Sequence, residues 1–100
     1  MKYVVAWTVR ASGSGQENEE ATKRMLGMLG KWSPGATVHQ FVNRVDGGGG
    51  FAVEETDDPA VIARDVAVWS PYLDITVHPV IDVEQSAAIL QEGVDFRESV

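Results

Sequence analysis

The segment KYVVAWTVR, residues 2–10, decides the fold because the other elements must pack around it. It is rich in β-branched and aromatic residues, which is typical of a β-strand. Side chains alternate along a strand, so the odd-numbered residues from Tyr3 to Val9 share one face and the even-numbered residues from Val4 to Thr8 share the other. Both sets are largely apolar. The pattern therefore predicts a central strand that is covered on both faces.

Two helices are predicted from apolar periodicity and from capping residues. Ser14 and Glu17 have the spacing of a capping box, and the apolar residues from Ala21 to Trp32 follow one stripe of a helix. Asp58 is the expected N-cap of the second helix, with Pro59 at the first helical position, where its missing N–H costs nothing. Each helix therefore has one apolar side for packing against the sheet.

Three further strands are predicted, with the sequences ATVHQFVNRV (residues 36–45), FAVEET (51–56) and YLDITVHPV (72–80). The segment DGGGG joins the first two as a hairpin, because glycine permits the positive φ that such loops require. A phosphate-binding loop would lead into the N-terminus of a helix, whereas this loop leads into a strand. The glycine run is thus interpreted as a flexible hairpin.

The segment DVEQSAAILQEG, residues 82–93, predicts a terminal helix, with Asp82 and Gln85 in capping-box spacing and Gly93 as the C-cap. Residues 94–100 are expected to form a short tail. The order is thus β-α-β-β-α-β followed by an extra helix. This is the pattern of one ferredoxin-like α+β domain over residues 1–100, with a four-stranded antiparallel sheet and two helices on one face.

Two helices cover only one face of such a sheet. The other face would expose the second apolar set of the first strand, and an exposed apolar face of that size marks an interface. We therefore predict a homodimer packed sheet to sheet, with the terminal helix or tail reaching over the partner.

The composition limits the partners and the compartment. The formal net charge is −7, from eight Lys and Arg against fifteen Asp and Glu, which disfavours nucleic acid and anionic membranes as partners. Cysteine is absent, so there are no disulfides or thiolate metal sites. The first residues lack the long apolar region of a signal peptide, and no apolar run approaches the roughly 20 residues of a membrane span. A cytoplasmic protein is predicted.

Three segments carry a resemblance to a known family: VVAWTV (residues 4–9), GFAVEETDDP (50–59) and WSPYLDITVHPVID (69–82). They resemble the family named domain of unknown function 3303, which is itself similar to the dimeric α/β-barrel superfamily. The resemblance covers nearly the whole chain, and its most specific pieces are Glu55 to Pro59 and Trp69-Ser70. In the family the second strand often carries a Trp-His pair where this chain has Val42 and Asn43, which weakens any transfer of function to those positions.

The resemblance implies an architecture more than a reaction. Members of the superfamily are similar in forming dimers with a cleft between sheet and helices. They include cofactor-free monooxygenases, haem degraders and lactone isomerases, and a shared fold does not choose among these activities.

Two histidines are the candidate acid–base residues. His78 points away from the apolar side of its strand, so it is expected to face the cleft or the dimer interface, and it can act as a general base near neutral pH. The alternative is a hydrogen-bonded interface histidine beside Pro79. His39 shares one side of its strand with Asn43, and a solvated edge histidine is the alternative there. Two histidines without a third ligand predict no metal site.

Three aromatic residues are candidates for a ligand-binding wall. Tyr3 and Trp7 share a face of the first strand and can line an aromatic pocket. Trp69 lies in the apolar stripe of the second helix, so packing explains it, although its size and indole N–H also suit a pocket wall.

The first functional hypothesis is a homodimer that binds a small molecule and has no cofactor. In its stronger form, the protein is a cofactor-free enzyme of monooxygenase or isomerase type that acts on an apolar or aromatic substrate. Its site is expected to combine the aromatic walls with a few polar groups: Tyr3, Trp7, Trp69, His78, His39 and Asn43. The alternative is a non-catalytic interaction module whose apolar sheet face only dimerises. A cavity of a few hundred Å³ beside these residues distinguishes the first hypothesis from the second.

Overall fold

The chain forms four strands and three helices, and the computed structural model describes all residues, 1–100. In chain order the elements are β1 (Lys2–Val9), α1 (Gly15–Lys31), β2 (Thr37–Asn43), β3 (Gly49–Glu55), α2 (Pro59–Trp69), β4 (Leu73–Val80) and α3 (Val83–Glu98). The strands make one antiparallel sheet in the order β2-β3-β1-β4. The predicted α+β class and four-stranded antiparallel sheet are confirmed, and the strand order is that of a ferredoxin-like sheet.

The first strand is central, as its two apolar faces predict. It pairs with β3 on one side and β4 on the other, so that Trp7 lies opposite Gly50 and also opposite Ile75. β4 is an edge strand, which explains how it accommodates Pro79, a residue that cannot donate a ladder hydrogen bond. The central position of β1 therefore follows from its sequence.

The glycine-rich segment is the predicted hairpin between β2 and β3. Gly47 has a φ of +73°, and the Arg44 N–H donates to the carbonyl of Gly49 at 2.7 Å. The side chain of Asp46 accepts a hydrogen bond of 2.8 Å from the N–H of Gly48 and so braces the turn.

The starts of α1 and α2 are also as predicted. The Ser14 side chain accepts a hydrogen bond of 3.2 Å from the Glu17 N–H, within a complete capping box. The Asp58 side chain accepts one of 3.0 Å from the Ala60 N–H, with Pro59 at the first helical position. These caps satisfy backbone donors that have no partner inside the helix.

The terminal helix begins where predicted, with Asp82 at the N-cap position, but it lacks the predicted capping box and ends later than predicted. The Asp82 side chain makes no capping hydrogen bond, because it accepts a bond of 3.1 Å from Nζ of Lys2 instead. Gly93 does not end the helix, and α3 continues to Glu98 with Ser99 as its C-cap. A single glycine costs a helix only about 1 kcal/mol, so the following helix-compatible residues extend it through the expected tail.

The core lies between the sheet and the two helices α1 and α2, and it is small. Tyr3 and Val5 of β1 pack against Ile62 of α2 in this core. The accessible surface is 7054 Å², whereas a compact monomer of this mass exposes about 5,500 Å². The radius of gyration is 17.9 Å, against about 13 Å for a compact domain of 100 residues. The isolated chain therefore leaves more surface uncovered than a compact monomer does.

Two regions account for much of the uncovered apolar surface. The first is the sheet face that α1 and α2 leave uncovered, here called the open face, where Val4 lies opposite Val53 and Ala6 opposite Phe51. The second is α3, which has no buried residue and exposes Ile89, Leu90 and Phe96. The helices all lack the combination of length and apolar character that a bilayer crossing requires.

Candidate functional site

A cavity of about 370 Å³ lies between the covered face of the sheet and the helices α1 and α2. Its volume is within the range of roughly 300 to 1,000 Å³ that is common for small-molecule sites. Most of its lining is apolar and includes Val5 from β1, Met25 and Leu29 from α1, and Ile75 from β4. The two helices thus cover one face of the sheet but leave unfilled space between themselves and the sheet.

Four aromatic rings from four parts of the chain form one wall of the cavity, here called the aromatic row. Successive ring centroids are 5.5 Å apart for Trp7–Phe41, 6.1 Å for Phe41–Trp32 and 5.6 Å for Trp32–Trp69. These separations are those of favourable aromatic pairs. All four rings line the cavity, so the row offers a continuous aromatic surface to a ligand.

The position of Trp7 depends on the glycine opposite it. A Cβ at Gly50 would lie 2.7 Å from Cζ2 of Trp7 and closer still to the carbonyl oxygen of Val42. Contacts that short are not tolerated, so the absence of a side chain at Gly50 lets the indole lie across β3 and reach Phe41.

Two carboxylates line the cavity beside the aromatic row. Glu54, on the central strand β3, is only 3% exposed, and its Oε1 has no hydrogen-bond partner. Asp65, on α2, accepts a hydrogen bond of 3.2 Å from Nε1 of Trp32 through Oδ1, while its Oδ2 is buried without a partner. Buried polar atoms in proteins nearly always have partners, so these two oxygens stand out.

The surroundings of these carboxylates favour their protonated forms. Burial raises the pKa of Glu54, and the negative charge of Asp65 raises it further. Burial also raises the pKa of Asp65, although the hydrogen bond from Trp32 opposes this. No Lys, Arg or His lines the cavity. The site can therefore hold and release protons closer to neutral pH than ordinary carboxyls do.

The structure brings three of the six predicted site residues to the cavity. Trp7, Asn43 and Trp69 line it. Tyr3 is buried in the core beside Ile62 and does not line the cavity.

Both histidines lie on the open face, so the sheet separates them from the cavity. His78 is exposed opposite Val4 of β1. The pairing of β2 with β3 is irregular between Val38 and Gln40, and this bulge breaks the alternation that would have placed His39 on the same side as Asn43. Nε2 of His39 instead forms a hydrogen bond of 2.7 Å with Oε1 of Glu55, and this bond lowers the pKa of Glu55.

The predicted site residues did not include the two carboxylates or two of the aromatic residues, Trp32 and Phe41. A usable signal was present for the acids. Glu54 alternates with Ala52 on the inward side of a central strand, and Asp65 falls within the inward stripe of α2, three residues after Ile62. An acid at a position that the pattern assigns to the core is a candidate functional group.

The fold and the site together define an α+β protein in which a ferredoxin-like sheet and two helices line a ligand-sized, aromatic-walled cavity that is open to solvent on one side. The sequence model of the family described as "Domain of unknown function (DUF3303)" matches residues 1–94. The chain therefore belongs to the DUF3303 family, as its sequence resemblance indicated. No curated protein matches the chain.

Proposed function

We propose that the protein is a homodimer that binds a small molecule with an apolar or aromatic body in the cavity between the sheet and the helices α1 and α2. The observation that carries this proposal is the aromatic-walled cavity of about 370 Å³. A mainly apolar pocket with a few polar groups is the usual anatomy of a small-molecule site. Here the polar groups are Asn43, Glu54 and Asp65.

The chemistry that these side chains supply is proton transfer. Two carboxylates with raised pKa values in one apolar cavity can act as a general acid and a general base. Of the activities that the superfamily resemblance implies, an isomerisation by proton movement fits these groups best. Such an enzyme needs no cofactor, because both the proton donor and the acceptor are side chains of the chain itself.

Dimerisation through the open face is the second part of the proposal, and it corresponds to the assembly of dimeric α/β-barrel proteins. It is supported by the surface of 7054 Å², which exceeds that of a compact monomer by roughly 1,500 Å². A standard stable interface removes about 800 Å² from each partner, so the excess of one subunit is more than large enough to form one. The exposed apolar residues of α3 support its contact with a partner subunit.

An interaction module without ligand or reaction is the alternative function. The exposed apolar surfaces of the open face and of α3 favour it, because they serve association whether or not the cavity is occupied. The two functions differ in whether the cavity binds anything.

A thermal-shift screen of metabolites and haem tests ligand binding, because a ligand that binds only the folded state raises its melting temperature. A substitution at Ala52, which is 3% exposed and lines the cavity, tests whether the ligands bind in this cavity. Ala52→Leu should fill part of the cavity and abolish the shifts given by true ligands. Ala63→Leu, an equal change at an exposed position of α2, should leave them unchanged. Shifts that survive in Ala52→Leu would contradict the proposed site, and a dimer with no shifting compound would favour the interaction module.

A further inference from the structure

No basic side chain forms an ion pair with either of the two carboxylates of the cavity. None of its five ion pairs includes Glu54 or Asp65. Glu54 is almost completely buried, and each of the two residues has one carboxyl oxygen without a hydrogen-bond donor. Burying a charged carboxylate without a partner is costly. A ligand can therefore provide the partner that these two carboxylates lack within the chain.

The rest of the lining is also suited to positive charge. The face of an aromatic ring carries partial negative charge and attracts cations within about 6 Å of its centroid. Four such rings line the cavity, and no basic side chain lies among its lining residues. The carboxylates and the aromatic rings of the cavity thus both favour a positively charged ligand.

The number and type of groups favour an organic cation over a metal ion. No cluster of three or more His, Asp or Glu side chains suitable for a metal ion occurs in the chain, and zinc sites use at least three protein ligands. The apolar lining is matched by a hydrocarbon or aromatic body. The free oxygens Oε1 of Glu54 and Oδ2 of Asp65 require N–H donors. A protonated amine provides such donors, whereas a quaternary ammonium does not.

We propose that the ligand of this cavity is a protonated organic amine with a flat apolar body. Its ammonium group donates hydrogen bonds to Glu54 and Asp65, and its body lies along the aromatic row. The inference rests on the proposed function, since it names the class of molecule that the cavity takes. It also explains why acids lie at inward positions of β3 and α2, where the sequence pattern calls for apolar residues.

Three indoles with the same ring and different charge test the proposal: tryptamine, which is a cation, tryptophol, which is neutral, and indole-3-acetate, which is an anion. Isothermal titration calorimetry on the full-length protein at pH 7 measures each affinity. Tryptamine is expected to bind at least about tenfold more tightly than tryptophol, because hydrogen bonds to charged groups are stronger than neutral ones. Indole-3-acetate is expected to bind most weakly, because its charge has the same sign as that of the cavity.

Two isosteric variants identify the groups that bind the ammonium. Glu54→Gln and Asp65→Asn should each lower the affinity for tryptamine by about tenfold or more and leave that for tryptophol nearly unchanged. Glu20→Gln is the matched control, because it removes one carboxylate from an exposed position of α1. It should change neither affinity. Circular dichroism of each variant checks that the fold is retained.

The outcomes separate this inference from the proposed function. If tryptophol binds as tightly as tryptamine, or if Glu54→Gln and Asp65→Asn keep the affinity for tryptamine, the cavity binds small molecules without selecting amines and the inference is wrong. If no indole binds while neutral compounds give shifts that Ala52→Leu removes, the inference is again wrong and the proposed function stands. If no compound of any charge binds the cavity, both are wrong.

Discussion

The indole N–H of Trp32 donates a hydrogen bond of 3.2 Å to Oδ1 of Asp65, which joins the end of α1 to the middle of α2 across the cavity. The bond holds one oxygen of the carboxylate and leaves Oδ2 without a partner. Trp32 also contacts both Phe41 and Trp69 through its ring. One residue therefore links the aromatic row to the acidic part of the cavity.

Replacing Trp32 by Phe should destabilise the protein by about 1 to 3 kcal/mol, because it leaves both oxygens of Asp65 without a donor. The aromatic contacts with Phe41 and Trp69 are largely kept by the new ring. Urea unfolding measures the loss. Trp69→Phe is the control, because it also replaces an indole of the aromatic row by a smaller ring but keeps the hydrogen bond from Trp32 to Asp65. Equal losses in the two variants would show that ring size, and not the hydrogen bond, determines the effect.

Glu54 and Glu55 should affect stability in opposite directions. The pKa of Glu54 is raised in the folded state by burial and by Asp65, so this residue favours folding only while it is protonated, and its contribution is lost as the pH rises through the folded pKa. Glu54→Gln should therefore be more stable than the parent protein at pH 7, and the gain should disappear below about pH 4, the ordinary carboxyl range.

The pKa of Glu55 is lowered by its hydrogen bond with His39, so its contribution is present above the ordinary carboxyl pKa and is lost on acidification through the folded pKa. Glu55→Gln should thus be less stable than the parent protein at pH 7. Urea melts of both variants at pH 4 and pH 7 test the pair. A destabilising Glu54→Gln at pH 7 would indicate that this carboxylate has a partner in the free protein.

Binding of an amine should release protons. A cation beside a carboxyl group lowers its pKa, and the pKa values of Glu54 and Asp65 start above the ordinary range. The affinity for tryptamine should therefore rise as the pH increases above the ordinary carboxyl range and these two groups lose their protons. Calorimetry in two buffers with different ionisation enthalpies measures the protons released. Glu54→Gln should reduce the number, and a parent protein that releases none would contradict the expectation.

Replacing Val4 by Asp should dissociate the proposed dimer before it unfolds the subunit. Val4 lies on the open face opposite Val53, whereas the neighbouring Tyr3 is buried under the helices. Light scattering at micromolar concentration should give twice the subunit mass of 10.8 kDa for the parent protein and the subunit mass for the variant. Val45→Asp, at a fully exposed hairpin position, should remain dimeric. A parent protein that is monomeric at this concentration would remove the argument for the dimer.

His78→Ala should leave ligand binding unchanged, because the sheet lies between His78 and the cavity. Its side chain is exposed in the single chain, so the substitution should also cost little stability in the subunit. Calorimetry with tryptamine and urea unfolding test both expectations. A loss of binding without a loss of stability would restore His78 as a site residue.

Local features of the sequence were sufficient to predict most of the fold. The two apolar faces of Lys2–Val9 predicted a central strand, the capping residues Ser14 and Asp58 predicted where two helices begin, and the glycines after Asp46 predicted the hairpin. Each of these signals acts within a few residues of the structure that it specifies, through side-chain alternation, backbone capping or permitted φ. Such signals can be read without knowing which distant segments meet.

The tertiary structure decided the site. Glu54 and Asp65 become a pair only because β3 takes a central place in the sheet and α2 packs across it, while Trp32 reaches Asp65 from a third element. A bulge in β2 places His39 on the other face, and the Asp82 side chain bonds Lys2 and makes no capping bond to α3. These outcomes depend on which of several possible partners lies within a few ångströms of a side chain. That is set by long-range packing and strand register, which no local pattern of residues specifies.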